Sequence, residues 1–128
     1  MKKVEHKIEV YPFSFNKLVS NTRKIDIRPY KKMLHDVVIG DEICYTNLET
    51  KEEVKKEVKG LALFGDFETA INMLDEKLIG YDSKEEIRIR VKRMYDKKEV
   101  KECGVVAFFI EEVKVKRMMS LRMVERVA

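Results

Sequence analysis

The sequence predicts an α+β domain in which helices pack beside a small, curled, mostly antiparallel β-barrel. Several short segments alternate between apolar and charged residues, as strands do. Amphipathic segments with helical spacing interrupt this series at two points. The chain has 128 residues, 45% of them hydrophobic, which suits one domain with one core.

The first quarter of the chain predicts a strand, a short helix and a second strand. Ile8 and Val10 alternate with charged neighbours, which predicts the first strand. Pro12 favours the first turn of a helix, and Asn21 favours the left-handed conformation that often ends one. The segment "KIDIR", Lys24–Arg28, alternates again, so its charged residues are expected to share one face of the second strand.

The middle of the chain predicts a β-hairpin. Gly40 and Asp41 form a turn signal before a strand over Glu42–Thr46. A polar segment then leads into a long return strand over residues 53–64. The apolar spacing of that strand changes near Lys55 and Lys56, which predicts a bulge or a bend there.

The last part of the domain predicts two helices and a buried strand. Residues 65–78 form the clearest amphipathic helix, with Asp66 as its N-cap. The next segment alternates like a strand, but Ser83 and Glu86 form a capping-box signature that favours a helix. Residues 105–110 are continuously apolar, which is typical of a strand buried on both faces.

The segment "NTRKIDIRPYKK" gathers five basic residues around one acid, Asp26. The basic residues are Arg23, Lys24, Arg28, Lys31 and Lys32. Spacing alone favours a solvated strand face with ion pairs worth about 0.2–1 kcal/mol each. The alternative is a polar cleft in which guanidinium groups bind phosphate or a base edge. Tyr30 and Tyr95 lie beside basic residues and are candidates to stack on a base.

The composition excludes several other classes of site. His6 and His35 are isolated and no CxxC motif occurs, so we expect no metal, and no cofactor-binding motif is present. Cys44 and Cys103 are predicted to be reduced thiols in or near the core. No apolar run approaches the roughly 20 residues of a membrane span, and a cytoplasmic location is expected. Abundant Lys and Glu, with no Gln, lean towards a thermophile.

A basic C-terminal extension, residues 114–128, is predicted to follow a domain over residues 1–113. It holds five basic residues and one Glu, which accounts for the formal net charge of +4. Met119 and Met123 recur at helical spacing within it. Packing against the barrel or forming a homodimer is the first expectation for this extension, and binding nucleic acid the second.

Three segments, in their order along the chain, resemble the activating signal cointegrator homology (ASCH) domain family. They are Asn21–Arg28, Val38–Ile43 with its Gly-Asp pair, and Gly104–Ala107, and the resemblance covers about residues 7–113. It implies a PUA-like β-barrel with a cleft between barrel and helices. Such a cleft would accept a nucleotide-like or nucleic-acid ligand.

The family signature can be carried over position by position. Arg23 stands where the family has Lys, Asp26 where it has Glu, Arg28 where it has Arg, and Asn21 where it often has Gly. A related amidohydrolase acting on acetylcytidine uses a Lys, Thr and Glu set, and its Thr position falls near Gly80. Because an arginine stays protonated, Arg23 cannot replace a lysine that abstracts a proton.

Three hypotheses about function follow, and the sequence leaves open whether the protein is an enzyme. The first is an RNA- or nucleotide-binding domain that uses a basic cleft lined by Arg23, Lys24, Asp26, Arg28 and Lys31, with Tyr30 and Tyr95. The alternative is a small hydrolase of a modified nucleoside, or a ribonuclease, with Asp26 as general base and Arg23 stabilising an oxyanion. The third is a protein-interaction domain that uses the basic extension as a contact surface.

Overall fold

The computed structural model describes residues 4–113. Within this range it contains strands β1 (Glu5–Val10), β2 (Ile25–Pro29), β3 (Glu42–Asn47), β4 (Glu53–Phe64) and β5 (Val105–Glu112). The helices are α1 (Pro12–Val19), α2 (Phe67–Met73), α3 (Glu76–Ile79), α4 (Lys84–Met94) and α5 (Lys97–Cys103). A 3₁₀ turn, Lys32–Leu34, lies between β2 and β3. The predicted basic extension, with its packing and dimer hypotheses, lies outside the described residues.

The strands form one mixed sheet that curls into a half-barrel. Their order is β1-β3-β4-β5-β2; β1 pairs with β3 in parallel and the other pairs are antiparallel. This confirms the predicted α+β class and its mostly antiparallel sheet. Of the bulge or bend predicted near Lys55 and Lys56, a bulge is wrong in position, because the register shift lies between Val58 and Gly60. In the described part of the chain, β1 and β2 are the two edge strands.

Two apolar clusters cover the two faces of the sheet. One fills the inside of the curl under α1, and the other lies between the sheet and helices α2 to α5. Strand β5 contributes alternately to both: Val106 and Phe108 enter the first cluster, and Val105 and Ala107 enter the second. Burial on both faces explains why this strand is continuously apolar instead of alternating.

Several local signals in the sequence are confirmed. Pro12 begins α1, and Asn21 adopts a φ of 61° just after that helix ends. Asp66 caps α2 by accepting a hydrogen bond from a backbone N–H, and Ser83 caps α4 in the same way. These signals succeeded because each rests on contacts between residues close together in the chain.

The helical region differs from the prediction at two points. The helix expected over residues 65–78 is divided into α2 and α3, because Leu74 is extended and Asp75 starts a new helix by accepting from a backbone N–H. Helix α5 was not predicted at all. Its N-cap is Asp96, and Val100 is its buried residue, so its apolar face is too narrow to show a periodicity.

The Gly40-Asp41 pair forms a tight turn that ties the start of β1 to β3. The Asp41 carboxylate accepts hydrogen bonds from the backbone N–H groups of Val38 (3.1 Å) and Val4 (3.4 Å), and it lies 2.9 Å from His6 Nε2. Burial alone would raise the pKa of Asp41, but these three contacts outweigh it and lower the pKa. The Gly-Asp pair, which is part of the resemblance noted in the sequence, therefore has a structural role as a turn in this fold.

We expect Asp41→Asn to lower the free energy of unfolding at neutral pH by about 1–2 kcal/mol, because charge-assisted hydrogen bonds are lost. The folded-state pKa of Asp41 lies below its ordinary value of 3.8. Its contribution is therefore present above that value and is lost as pH falls through the folded-state pKa. Urea denaturation of both proteins at neutral and at strongly acidic pH measures this, and an equal gap at both would contradict it.

Gly104→Ala is expected to destabilise the fold by about 1–3 kcal/mol, because Gly104 has a φ of 75° and an added Cβ would lie 3.0 Å from the Phe64 carbonyl oxygen. Gly65→Ala is the matched control, since a Cβ there meets no heavy atom within 4 Å. Thermal unfolding of the two variants compares them directly. Equal stability of the two would show that the backbone at Gly104 relaxes freely.

Candidate functional site

A cleft of about 400 Å³ lies where the half-barrel remains open. Glu9 and Val10 line it from β1, and the segment 26–28 lines it from β2, so both edge strands take part. Residues of α1 and α4, and the end of α3, complete the wall. The cleft therefore occupies the gap that the sheet leaves between its edges.

Arg23 lines the cleft and is hydrogen-bonded to helices α1 and α3. Its Nε donates to the Ile79 carbonyl at 2.9 Å, its Nη1 donates to Ser14 Oγ at 3.0 Å, and its Nη2 lies 3.4 Å from the Tyr81 hydroxyl. The residue is only 8% exposed. A guanidinium held at three nitrogens keeps a fixed orientation, so it can present its charge to a ligand without first being ordered.

A clamp of three residues supports the wall of the cleft: Asp26 and Arg28 line it, and Tyr45 is buried beside them. Asp26 Oδ2 accepts from Arg28 Nε at 3.0 Å and from the Tyr45 hydroxyl at 2.8 Å. Burial alone would lower the pKa of Arg28, but the Asp26 carboxylate outweighs it and raises the pKa above its usual value. Burial, and then the same carboxylate, raise the pKa of Tyr45, so its hydroxyl keeps the proton that it donates.

Aromatic rings and cations alternate beside the cleft. The Arg90 guanidinium lies 3.9 Å from the centre of the Phe13 ring, and Lys17 Nζ lies 4.7 Å from Phe13 and 4.8 Å from Tyr81. Lys17 also donates to the Gly80 carbonyl at 2.5 Å, and burial, followed by a neighbouring guanidinium, lowers its pKa. Gly80, near which the resemblance placed the Thr of the related amidohydrolase, ends α3 with a φ of 109° and offers no side chain.

The cleft is not basic overall, although its interior is. Among the described residues that line it, four are basic and four are acidic. The buried and half-buried ones are Arg23, Asp26, Arg28 and Arg90. The exposed ones are Glu9, Lys31, Asp96 and Glu99. Cations therefore dominate the interior and carboxylates dominate the mouth, where Lys31 pairs with Glu99 at 2.9 Å.

Five of the seven residues predicted from the sequence line this cleft: Arg23, Asp26, Arg28, Lys31 and Tyr95. Lys24 does not. It precedes β2, is exposed, and lines a separate groove with Lys59 and Phe109. Lys24 keeps the register of β2, since its carbonyl accepts from the Ile110 N–H at 3.0 Å, but it lies at the exposed entry of the strand, beside that second groove.

The two candidate stacking residues also differ in position. Tyr30 packs against the cluster inside the curl and lies 4.3 Å from the His35 ring, outside the lining of the cleft. Tyr95 lines the cleft, and one side of its ring stacks on Phe67 at 5.4 Å. Burial raises the pKa of Tyr95, so it is a neutral wall of the cleft.

Ser14, Tyr45, Tyr81 and Arg90 belong to the site but were not predicted as parts of it. Tyr45 reaches Asp26 from another strand, and Ser14 reaches its partner from a helix, so local spacing carries no signal for either. Arg90 had a usable signal. It adjoins the apolar stripe of α4, where a long cationic side chain can lie along a cleft wall.

Other kinds of site find little support in residues 4–113. Within this range no three His, Cys, Asp or Glu side chains are grouped to hold a metal ion. No helix described there is long and apolar enough to cross a membrane. Cys44 and Cys103 are free thiols, and burial raises the pKa of Cys44, which makes that thiol unreactive.

Comparison with known proteins gives matches among solved structures, whereas no protein-family model and no curated protein matches the chain. Hypothetical protein PH0355 superposes with a TM-score of 0.75 at 23% identity, over 86% of this chain and 100% of its own. Protein PF0455 from Pyrococcus furiosus has a TM-score of 0.63 at 25% identity, over 88% of this chain and 100% of its own. A mutant of ASCH from Zymomonas mobilis has a TM-score of 0.56 at 11% identity, over 86% of this chain and 69% of its own.

The chain has the ASCH fold. This confirms the fold that the ordered segments of the sequence implied. At 11% sequence identity, the similarity to the Zymomonas mobilis protein establishes the arrangement of the backbone alone. The chemistry of the cleft is inferred from the residues described above.

Asp26→Asn is expected to lower the free energy of unfolding by on the order of 3 kcal/mol, because it leaves the Arg28 guanidinium without a buried counter-charge. Glu99→Gln is the control. It breaks the exposed pair with Lys31 and should cost less than about 0.5 kcal/mol. Chemical denaturation at neutral pH compares the two. If both substitutions cost the same small amount, the clamp does not hold the strands together.

Proposed function

We propose that this ASCH-fold domain binds a nucleotide, either free or as an unpaired unit of RNA, in the cleft between β1 and β2. The observation that carries the proposal is the interior of the cleft, which is lined by three guanidinium groups and one carboxylate. Guanidinium groups recognise phosphate oxygens through paired hydrogen bonds. The volume of about 400 Å³ lies within the usual range for small-ligand pockets.

The charge at the mouth favours a single nucleotide unit over a long stretch of nucleic acid. Glu9, Asp96 and Glu99 are exposed there and would repel a row of phosphates. A duplex would have to lie across this mouth. A single unit can pass it and place its phosphate among the interior cations, as unpaired nucleotides do at protein sites.

The resemblance to the ASCH family, and to RNA-binding PUA-like domains, supports the same class of ligand. The chain has the ASCH fold, and a cleft lined by strands and helices is where the resemblance leads us to expect such a ligand. The proposal keeps the first hypothesis from the sequence but replaces its uniformly basic cleft with a basic interior behind an acidic mouth.

The contacts of Asp26 favour binding over hydrolysis. Its Oδ2 already accepts hydrogen bonds from Arg28 and Tyr45, so that oxygen is engaged in holding the clamp together. Arg23 remains charged and serves as a donor. Lys17, whose pKa is lowered, lies beside Arg23 but outside the lining of the cleft. We therefore assign Asp26 and Arg23 to orienting a ligand.

Arg23→Met should weaken binding of nucleoside monophosphates and short single-stranded RNA by about 10–100-fold, since it removes charge-assisted hydrogen bonds but keeps side-chain length. Lys24→Met is the matched control, because Lys24 is adjacent in sequence but lines a different groove, and its affinity should stay within about threefold of wild type. Isothermal titration calorimetry at two salt concentrations measures both, with circular dichroism to verify folding.

Two results would overturn the proposal. One is the absence of binding to every monophosphate and single-stranded RNA at low salt. The other is an equal loss of affinity in the Arg23 and Lys24 variants, which would indicate non-specific attraction to surface charge. Chromatography of each titrated sample also detects turnover, and a product that still forms in Asp26→Asn would exclude Asp26 as a general base.

A further inference from the structure

Residues whose side chains lie on opposite faces of β2 line the same cleft. Asp26 and Arg28 point to the inside of the curl, where they meet Tyr45, whereas Ile27 packs with the cluster under the helices. All three β2 residues nevertheless line the cleft. Neighbouring side chains of a strand point to opposite faces, so a cleft that touches both faces must run along the edge of the strand.

The hydrogen-bond pattern shows which backbone groups of β2 occupy that edge. The N–H of Ile110 donates to the Lys24 carbonyl at 3.0 Å, and the N–H of Tyr30 donates to the Gly104 carbonyl at 2.9 Å. The register between β2 and β5 is unbroken between these two bonds. Because such bonds involve every second residue of an antiparallel strand, the backbones of residues 26 and 28 face β5, and that of Ile27 faces the open edge.

Of Ile25, Ile27 and Pro29, whose backbone groups face this edge by that parity, Ile27 is the residue that lines the cleft. Ile25 has the same parity, but helix α3 covers the start of the edge, where the N–H of Lys24 donates to the Leu78 carbonyl at 2.7 Å. Pro29, at the other end, has no N–H. Among the described strands none pairs with this edge, so one donor and one acceptor remain side by side at Ile27.

We propose that the backbone N–H and C=O of Ile27 bind the Watson–Crick edge of a nucleobase in the cleft. This inference rests on the proposed nucleotide-binding function and adds the part of the ligand that is recognised. Every standard base carries a donor next to an acceptor on that edge, so a strand edge can pair with it as with another strand. The ligand is then an unpaired nucleotide, since base pairing would occupy the same edge.

A base suits this edge better than an extended peptide does. Strand addition needs a row of free backbone groups along several residues, whereas β2 has five residues and its ends are closed by α3 and by Pro29. The guanidinium groups of Arg23 and Arg28 line the same cleft, and in this proposal they hold the phosphate of the same ligand.

The test uses the full chain and the nucleoside monophosphate that binds most tightly among the four standard ones. Methylating that ligand on its Watson–Crick edge, at N1 of a purine or N3 of a pyrimidine, should weaken binding at least tenfold. The control ligand is altered elsewhere, as a 7-deaza purine or a 5-methyl pyrimidine, and should bind within about threefold of the parent.

A protein variant tests the same contact from the other side. Ile27→Pro removes the N–H that faces the cleft, and an edge strand tolerates proline where the N–H lies outside the ladder. It should weaken binding of the parent at least tenfold, whereas Ile27→Val should not. If Ile27→Pro does not fold, the methylated ligands still decide.

The outcomes separate this inference from the function on which it rests. If a nucleotide methylated on its Watson–Crick edge still binds tightly, the role of Ile27 is overturned but nucleotide binding stands. The same conclusion follows if folded Ile27→Pro binds the unmethylated nucleotide as tightly as the wild type does. Failure of every monophosphate and single-stranded RNA to bind overturns both.

Discussion

One carboxylate oxygen, Oδ2 of Asp26, joins the parts of the sheet that form the candidate site. It accepts a hydrogen bond from Arg28 on its own strand and another from Tyr45 on β3. Strands β2 and β3 are not neighbours in the sheet, so the bond from Tyr45 bridges the inside of the curl. Without this oxygen, a guanidinium and a phenol would lose their partner in a largely apolar interior, which is far more costly than losing a surface ion pair.

This bridge also determines the chemistry of the opening between the edge strands. It fixes the position of one guanidinium, while contacts to α1, α3 and Tyr81 fix that of Arg23. Because these cations are held by partners inside the cleft, their positions do not depend on a ligand. The exposed carboxylates at the mouth are not among these fixed groups, and they influence an approaching ligand through their charge.

The sequence was informative wherever contacts are local. Alternation located β1 and β2, a proline and an asparagine marked the ends of α1, and a capping box decided that α4 is a helix. For β2 the sequence pattern was misleading about burial. Alternation assigns residues to two faces of a strand but does not indicate which face is exposed to solvent. Helices cover the isoleucine face and the curl covers the face of Asp26 and Arg28, so charges that resemble a surface pattern lie inside.

Strand order also has a consequence for the time at which the cleft forms. Strand β2 pairs only with β5 among the described strands, with Ile25 opposite Phe109, so the pairing joins opposite ends of the domain. Such distant pairings carry a large loop-closure entropy and form late. During synthesis β2 emerges early but has no neighbour until β5 leaves the ribosome, when β5 joins β4 and β2 together. The cleft is thus assembled only after nearly the whole domain has been translated, and incomplete chains lack it.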